Sequence, residues 1–180
     1  SADSREFEWL HVPPQEVAGP MHRGIRALTN HESPITNHGA GRADFYLIDK
    51  PRFRENPLLL VCELAKRCYG TGKPTLILAR DAEQAEAIDC LLWEFDESAY
   101  LPHQIAGMDE DDDITPILIA TPDTDVPARP MQINLRDAPV PGPCERVLEV
   151  VPADPAARGP LRERWKHYQQ RGWDLHKHDM

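Results

Sequence analysis

From Asp44 onward, short apolar runs alternate with amphipathic stretches, a pattern best met by parallel strands joined through crossover helices. Asp44-Phe45-Tyr46-Leu47-Ile48-Asp49 is an apolar run bounded by polar residues, the signature of a strand. After a loop, Leu58, Val61, Cys62, Ala65 and Cys68 or Tyr69 recur at helical spacing. Pro57 suits the first turn of that helix and Asn56 is its candidate cap. Gly70-Thr71-Gly72 ends it. Pro74 to Ala79 is nearly continuous in apolar character, as in a sheet covered on both faces. Asp81 then caps a helix to about Trp93, with Ala85, Ile88, Leu91 and Leu92 facing inward.

A short strand or extended turn is expected at Ala99–Pro102, and further strands at Pro116–Ala120, Met131–Leu135 and Arg146–Val151, the last of the set. Met131–Leu135 alternates in polarity, which suits a strand near the sheet edge. The final stretch, Asp154 to Gly172, reads as helix with an interruption. Together these elements predict one α/β domain over residues 43–180: three layers, a mostly parallel Rossmann-like sheet, and helices on both faces. Residues 1–42 break the pattern. Pro13, Pro14, Pro20 and Pro34 interrupt any helix, four histidines fall at irregular spacing, and a flexible tail is expected there.

The residue chemistry excludes more than it offers. A formal charge of −10 argues against nucleic acid held on a broad positive face. No apolar run approaches the roughly 18 residues of a membrane span, and no cleavable leader opens the chain, so a cytoplasmic location is expected. Cys62, Cys68, Cys90 and Cys144 form no C-x-x-C pair and read as small hydrophobes. A nucleotide-binding enzyme is the rival reading of an α/β sheet, yet Asp49–Arg54 after the first strand holds no glycine. Gly70–Thr75 runs from helix to strand, the reverse of a phosphate loop. His103 reads as a structural histidine, and the acids Asp109–Asp113 as a solvated loop lacking the spacing of a calcium site. Neither catalytic residues, nor a cofactor, nor a metal site is indicated.

The end of the chain is more informative. Arg158, Arg162, Arg164, Lys166 and Arg171 face a single acid, Glu163. On a helix, Arg158, Arg162 and Lys166 fall at i, i+4 and i+8, beside an apolar stripe of Leu161, Trp165 and Tyr168. Cations beside aromatic surface suit an acidic peptide with a hydrophobic terminus. Gly159-Pro160 interrupts the register, so a brief turn from Asp154-Pro155 and a helix restarting at Pro160 are expected. That break leaves open whether Arg158 joins the stripe of Arg162 and Lys166.

Several landmarks then fall in a recognisable order. They are Asp44–Ile48, Val61–Ala65, Gly72-Lys73, Asp89 with Leu92-Trp93, Leu101-Pro102-His103 with Ala106-Gly107, and Arg162–Lys166 with Tyr168 and Gly172-Trp173. Over about residues 43–175 the chain resembles the chi subunit family of bacterial DNA polymerase III. The resemblance implies a non-catalytic clamp-loader accessory protein. Its implied partners are the psi subunit, the acidic C-terminal tail of single-stranded-DNA-binding protein and, on the psi-facing surface, a repair helicase. It implies that Arg158, Arg162 and Lys166 meet the tail's acids, and that Trp93 and Trp165 wall a pocket for its terminal ring. Tyr100 matches an aromatic on the psi-facing side.

Overall fold

The computed structural model describes residues 41–95, 100–108, 110–140 and 144–180. The tail expected over 1–42 lies outside them, apart from its last two residues. Gly41 and Arg42 are ordered, and the first strand, β1, runs Arg42–Leu47. The remaining strands are β2 (Thr75–Leu78), β3 (His103–Ile105), β4 (Ile117–Ala120), β5 (Met131–Asn134), β6 (Arg146–Val151) and β7 (Asp174–Asp179). They form one sheet in the order β3-β4-β2-β5-β6-β1-β7, parallel at every pairing. The helices are α1 (Pro51–Glu55), α2 (Pro57–Gly70), α3 (Ala82–Glu94) and α4 (Arg158–Gln170). Among the described residues no helix is long and apolar enough to cross a membrane.

Crossover handedness distributes the helices. The connections β1-α2-β2 and β2-α3-β3 both move toward the β3 edge, whereas β6-α4-β7 moves the opposite way. Right-handed crossovers therefore set α2 and α3 on one face and α4 on the other. Side-chain alternation along β1 agrees. Tyr46 and Ile48 join the core that includes Leu60, Ile77, Ile88 and Leu148. Phe45, on the alternate phase of the strand, instead meets Trp165 and Tyr168 of α4, with ring centroids 5.0 and 6.1 Å apart. The three-layer, Rossmann-like arrangement expected from the sequence is thus present.

Local chemistry explains the helix ends. Asp81 accepts the Gln84 amide at 2.7 Å, capping α3. Gly72, at φ 78°, takes the left-handed conformation that turns the chain out of α2. A loop was expected after β1, but Pro51 starts the short helix α1, which buries Phe53.

Two expectations about strands change and a third is narrowed. β5 is the central strand, not one near the edge, and all four of its residues are buried. Its polar members are satisfied internally: Gln132 donates to the Arg129 carbonyl, and Asn134 donates to Glu149 and to the Ala138 carbonyl. Polar alternation here marks buried hydrogen bonding, not a wet face. Of the two forms expected at Ala99–Pro102, Tyr100–Pro102 take the extended turn, and the strand comes just after it, at His103–Ile105; Ala99 lies outside the described residues. β6 is not last. β7 has the sequence Asp-Leu-His-Lys-His-Asp, with Leu175 its one apolar residue. It is held by backbone pairing to β1, and its charges suit a sheet edge.

Candidate protein-interaction site

α4 begins at Arg158, earlier than Pro160 suggested. The expected turn before it is present as a 3-10 turn over Pro155–Ala157, capped by Asp154. Pro160 sits within the first turn, where its missing amide removes no bond of the helix interior. Arg158, Arg162 and Lys166 thus ride one continuous helix at i, i+4 and i+8 and share one stripe. Arg162 and Lys166 are exposed, and Arg158 is half-buried.

Two of the five cations in this stretch serve the fold. Arg164 is buried against Glu149, Nε to Oε1 at 2.8 Å, and donates Nη1 to the Asp137 carbonyl at 3.1 Å. Arg171 lies 4.6 Å over the Trp173 ring and donates to the Val140 carbonyl. Tyr168 turns the same way: its hydroxyl donates to Glu149 at 2.6 Å and accepts the Val140 amide at 2.8 Å. So Arg164, Tyr168 and Arg171 face the β5 side, which leaves the stripe of Arg158, Arg162 and Lys166 pointing elsewhere. Burial pushes Glu149 above the usual carboxylate range, opposed by Arg164, Asn134 and Tyr168.

Trp165 is only 7% exposed and packs on Phe45 of β1. It forms the floor beside the stripe. Trp93 does not join it. Trp93 lies at the end of α3, on the opposite face of the sheet, where its ring is 4.4 Å from His103 and 6.0 Å from Tyr100. The family resemblance grouped Trp93 with Trp165 at the tail pocket; the handedness of the crossovers puts the two on opposite faces of the sheet.

The result is a second feature. Trp93 is 53% exposed and Tyr100 67%, an aromatic pair that the core leaves open. It rests on His103, whose Nδ1 pairs with the Leu101 carbonyl at 2.6 Å and whose Nε2 lies 3.3 Å from the Asp89 carboxylate. His103 therefore acts as structural support, as its sequence context suggests. The acidic loop also serves the fold. Asp112 accepts from Gln104 and from the Gly107 amide, at 2.5 and 2.8 Å, and Arg129 donates to its carbonyl at 2.7 Å. Among the described residues no group of three or more His, Cys, Asp or Glu is placed to hold a metal ion.

Sequence reasoning missed a charge cluster between the last strands. Asp44, fully buried, meets Arg42 Nε at 3.0 Å, Arg146 Nε at 2.6 Å and His178 Nε2 at 2.8 Å. Burial pushes the Asp44 carboxyl up, but hydrogen bonds from Arg42 and His178 and the charge of Arg146 outweigh it and hold it below the usual range. Nothing in linear order signals this cluster, because its members come from three strands.

The family described as DNA polymerase III chi subunit, HolC, matches residues 41–176. The chain is 32% identical over 144 residues to DNA polymerase III subunit chi of Pseudomonas aeruginosa, covering 77% of this chain and 96% of that one. It is 31% identical over 139 residues to the Escherichia coli subunit, covering 74% and 94%. Among solved structures, the C-terminal domain of the DEAD-box protein Dbp5 aligns with a TM-score of 0.55 at 13% identity, over 78% of this chain and 91% of that one; this likeness concerns the fold alone. The family match runs from β1 into the start of β7 and includes the helix that carries Arg158, Arg162 and Lys166; with the two relatives it shows that the chain belongs to the DNA polymerase III chi subunit family.

Proposed function

We propose that this chi-family chain is a non-catalytic replication accessory subunit that grips the acidic C-terminal tail of single-stranded-DNA-binding protein along α4. The observation that carries the reading is the unbroken register of Arg158, Arg162 and Lys166 on one helix. The tail's acids lie along that stripe, and its apolar terminal residue settles against the edge of Trp165. Exposed ion pairs contribute about 0–1 kcal/mol each, so a micromolar complex, about −8 kcal/mol, draws on the apolar contact as well. The Trp93–Tyr100 pair, on the other face of the sheet, is the surface for the psi subunit, through which the chain joins the clamp loader. A repair helicase competes for that same pair. Two separated surfaces suit an adaptor that holds two partners at once.

The test is a titration of a tail peptide, with and without its terminal aromatic residue, into the wild-type chain and into Arg162→Ala, Lys166→Ala and the double variant. Weakening by each change supports the reading. Unaltered binding by the double variant removes α4 as the site.

A further inference from the structure

A crevice of about 620 Å³ opens at the carboxyl ends of the strands and reaches the start of α4, where Ala157 and Arg164 join its lining. It lies between the loops that follow β2 and β5. These strands are neighbours, but β2 feeds α3 toward the β3 edge while β5 leads back toward β6. Such a reversal parts the two loops and leaves a hollow suited to a ligand. The volume falls within the range of small-molecule sites.

Its lining is divided. Leu58, Val61, Leu135 and Val150 give an apolar wall. Arg80 and Arg136 line it as well. Arg136 donates Nε to the Ala79 carbonyl at 2.8 Å and Nη2 to the Ala120 carbonyl at 3.0 Å. Those two carbonyls fix the guanidinium without neutralising it: among the described residues neither Arg136 nor Arg80 has a carboxylate partner. Burial lowers the Arg136 pKa, consistent with a cation that lacks an anion. α2 also begins at the crevice, with Pro57 in its first turn and no side-chain cap on its amides.

The acids at the rim limit the ligand's charge. Asp81 and Asp154 are committed to the Gln84 and Ala156 amides. Glu83 and Asp137 are exposed and repel a polyanion. One phosphate beside an apolar ring satisfies both halves. We propose that this crevice binds a nucleoside monophosphate, with the base against Leu58 and Val150 and the phosphate on Arg80 and Arg136. No catalytic group accompanies it, so the site is one of binding only. The proposal does not rest on the tail-binding reading, although the crevice borders the first turns of α4.

The experiment is calorimetric titration of the full chain with AMP, adenosine, inorganic phosphate and ATP. Saturable AMP binding, at least tenfold tighter than adenosine or phosphate and no weaker than ATP, is expected. Arg80→Ala lowers AMP affinity about tenfold, the effect of one charge-assisted hydrogen bond. Ala87→Trp, which fills the crevice from α3, abolishes AMP binding and leaves tail-peptide affinity unchanged. The proposal is overturned if AMP gives no saturable heat at millimolar concentration, if phosphate binds as tightly as AMP, or if neither variant alters the AMP isotherm.

Discussion

Arg164 of α4 meets Glu149 of β6 at 2.8 Å with neither side chain reaching solvent: the arginine is 3% exposed and the glutamate 0%. The helix that carries the candidate tail site is thus pinned to the sheet by a buried ion pair. Asn134 and Tyr168 bring further hydrogen bonds to the same carboxylate. A pair of this kind is costly to break from one side, because the survivor remains buried and unpaired.

Arg164→Ala is accordingly expected to destabilise the chain by about 3–5 kcal/mol. Glu149→Gln in the same background restores part of that loss, since the amide keeps hydrogen bonds without a charge. Urea denaturation of the two single variants and the double variant gives the coupling. Additive losses would mean that the pair contributes no mutual stabilisation.

Asp44 sets the acid limit of the fold. Its carboxyl is held below the ordinary value of about 3.9, so its stabilisation is complete above that pH and is lost as pH falls through the lower native value. Denaturation midpoints should therefore drop below about pH 4. Asp44→Asn should flatten that drop and cost about 3 kcal/mol at neutral pH, because Arg42, Arg146 and His178 are left facing one another.

Arg158 stands in register with Arg162 and Lys166, so Arg158→Ala should weaken a tail peptide about as much as Arg162→Ala, some three- to fivefold. The effect of each should grow as salt is lowered. Calorimetry at two ionic strengths checks this. An Arg158→Ala variant that binds normally at low salt would place the peptide nearer the far end of α4.

The two tryptophans should part company. Trp165→Ala removes the floor beside the stripe and should lower tail affinity at least fivefold, with a loss of stability of about 3 kcal/mol from the ring's burial. Trp93→Ala should leave tail affinity within twofold and stability nearly unchanged, since the ring is largely exposed. Its effect should appear in a psi pull-down instead.

Thiol labelling of the native chain should modify Cys90 first, because it alone of the four is exposed. Burial pushes Cys62 to about 12, Cys68 to about 11 and Cys144 to about 12, which suppresses the reactive thiolate. Mass spectrometry of peptides after brief alkylation reads this directly.

Legibility followed apolar pattern closely. β2 and β4 are four-residue runs buried on both faces, and their sequences announce it. α2 opens on Pro57, α3 is capped by Asp81, and both carry periodic apolar positions, so their limits were readable to within a residue or two. β7 was hidden because backbone pairing, not side-chain burial, holds it to β1. β5 was misplaced because Gln132 and Asn134 look solvent-facing until their partners are known. The basic stripe on α4 was visible from spacing, but spacing could not show that Arg164 and Arg171 turn inward. Nor could it show that Trp93 lies across the sheet, since that depends on the hand of two crossovers.

α4 is spliced into the chain between β6 and β7, and those two strands flank β1 on either side. A peptide tugging on α4 therefore has no hinge to bend. Tension on α4 would pass at once into backbone ladders on both flanks of the first strand, and the two faces proposed for docking would keep a fixed separation.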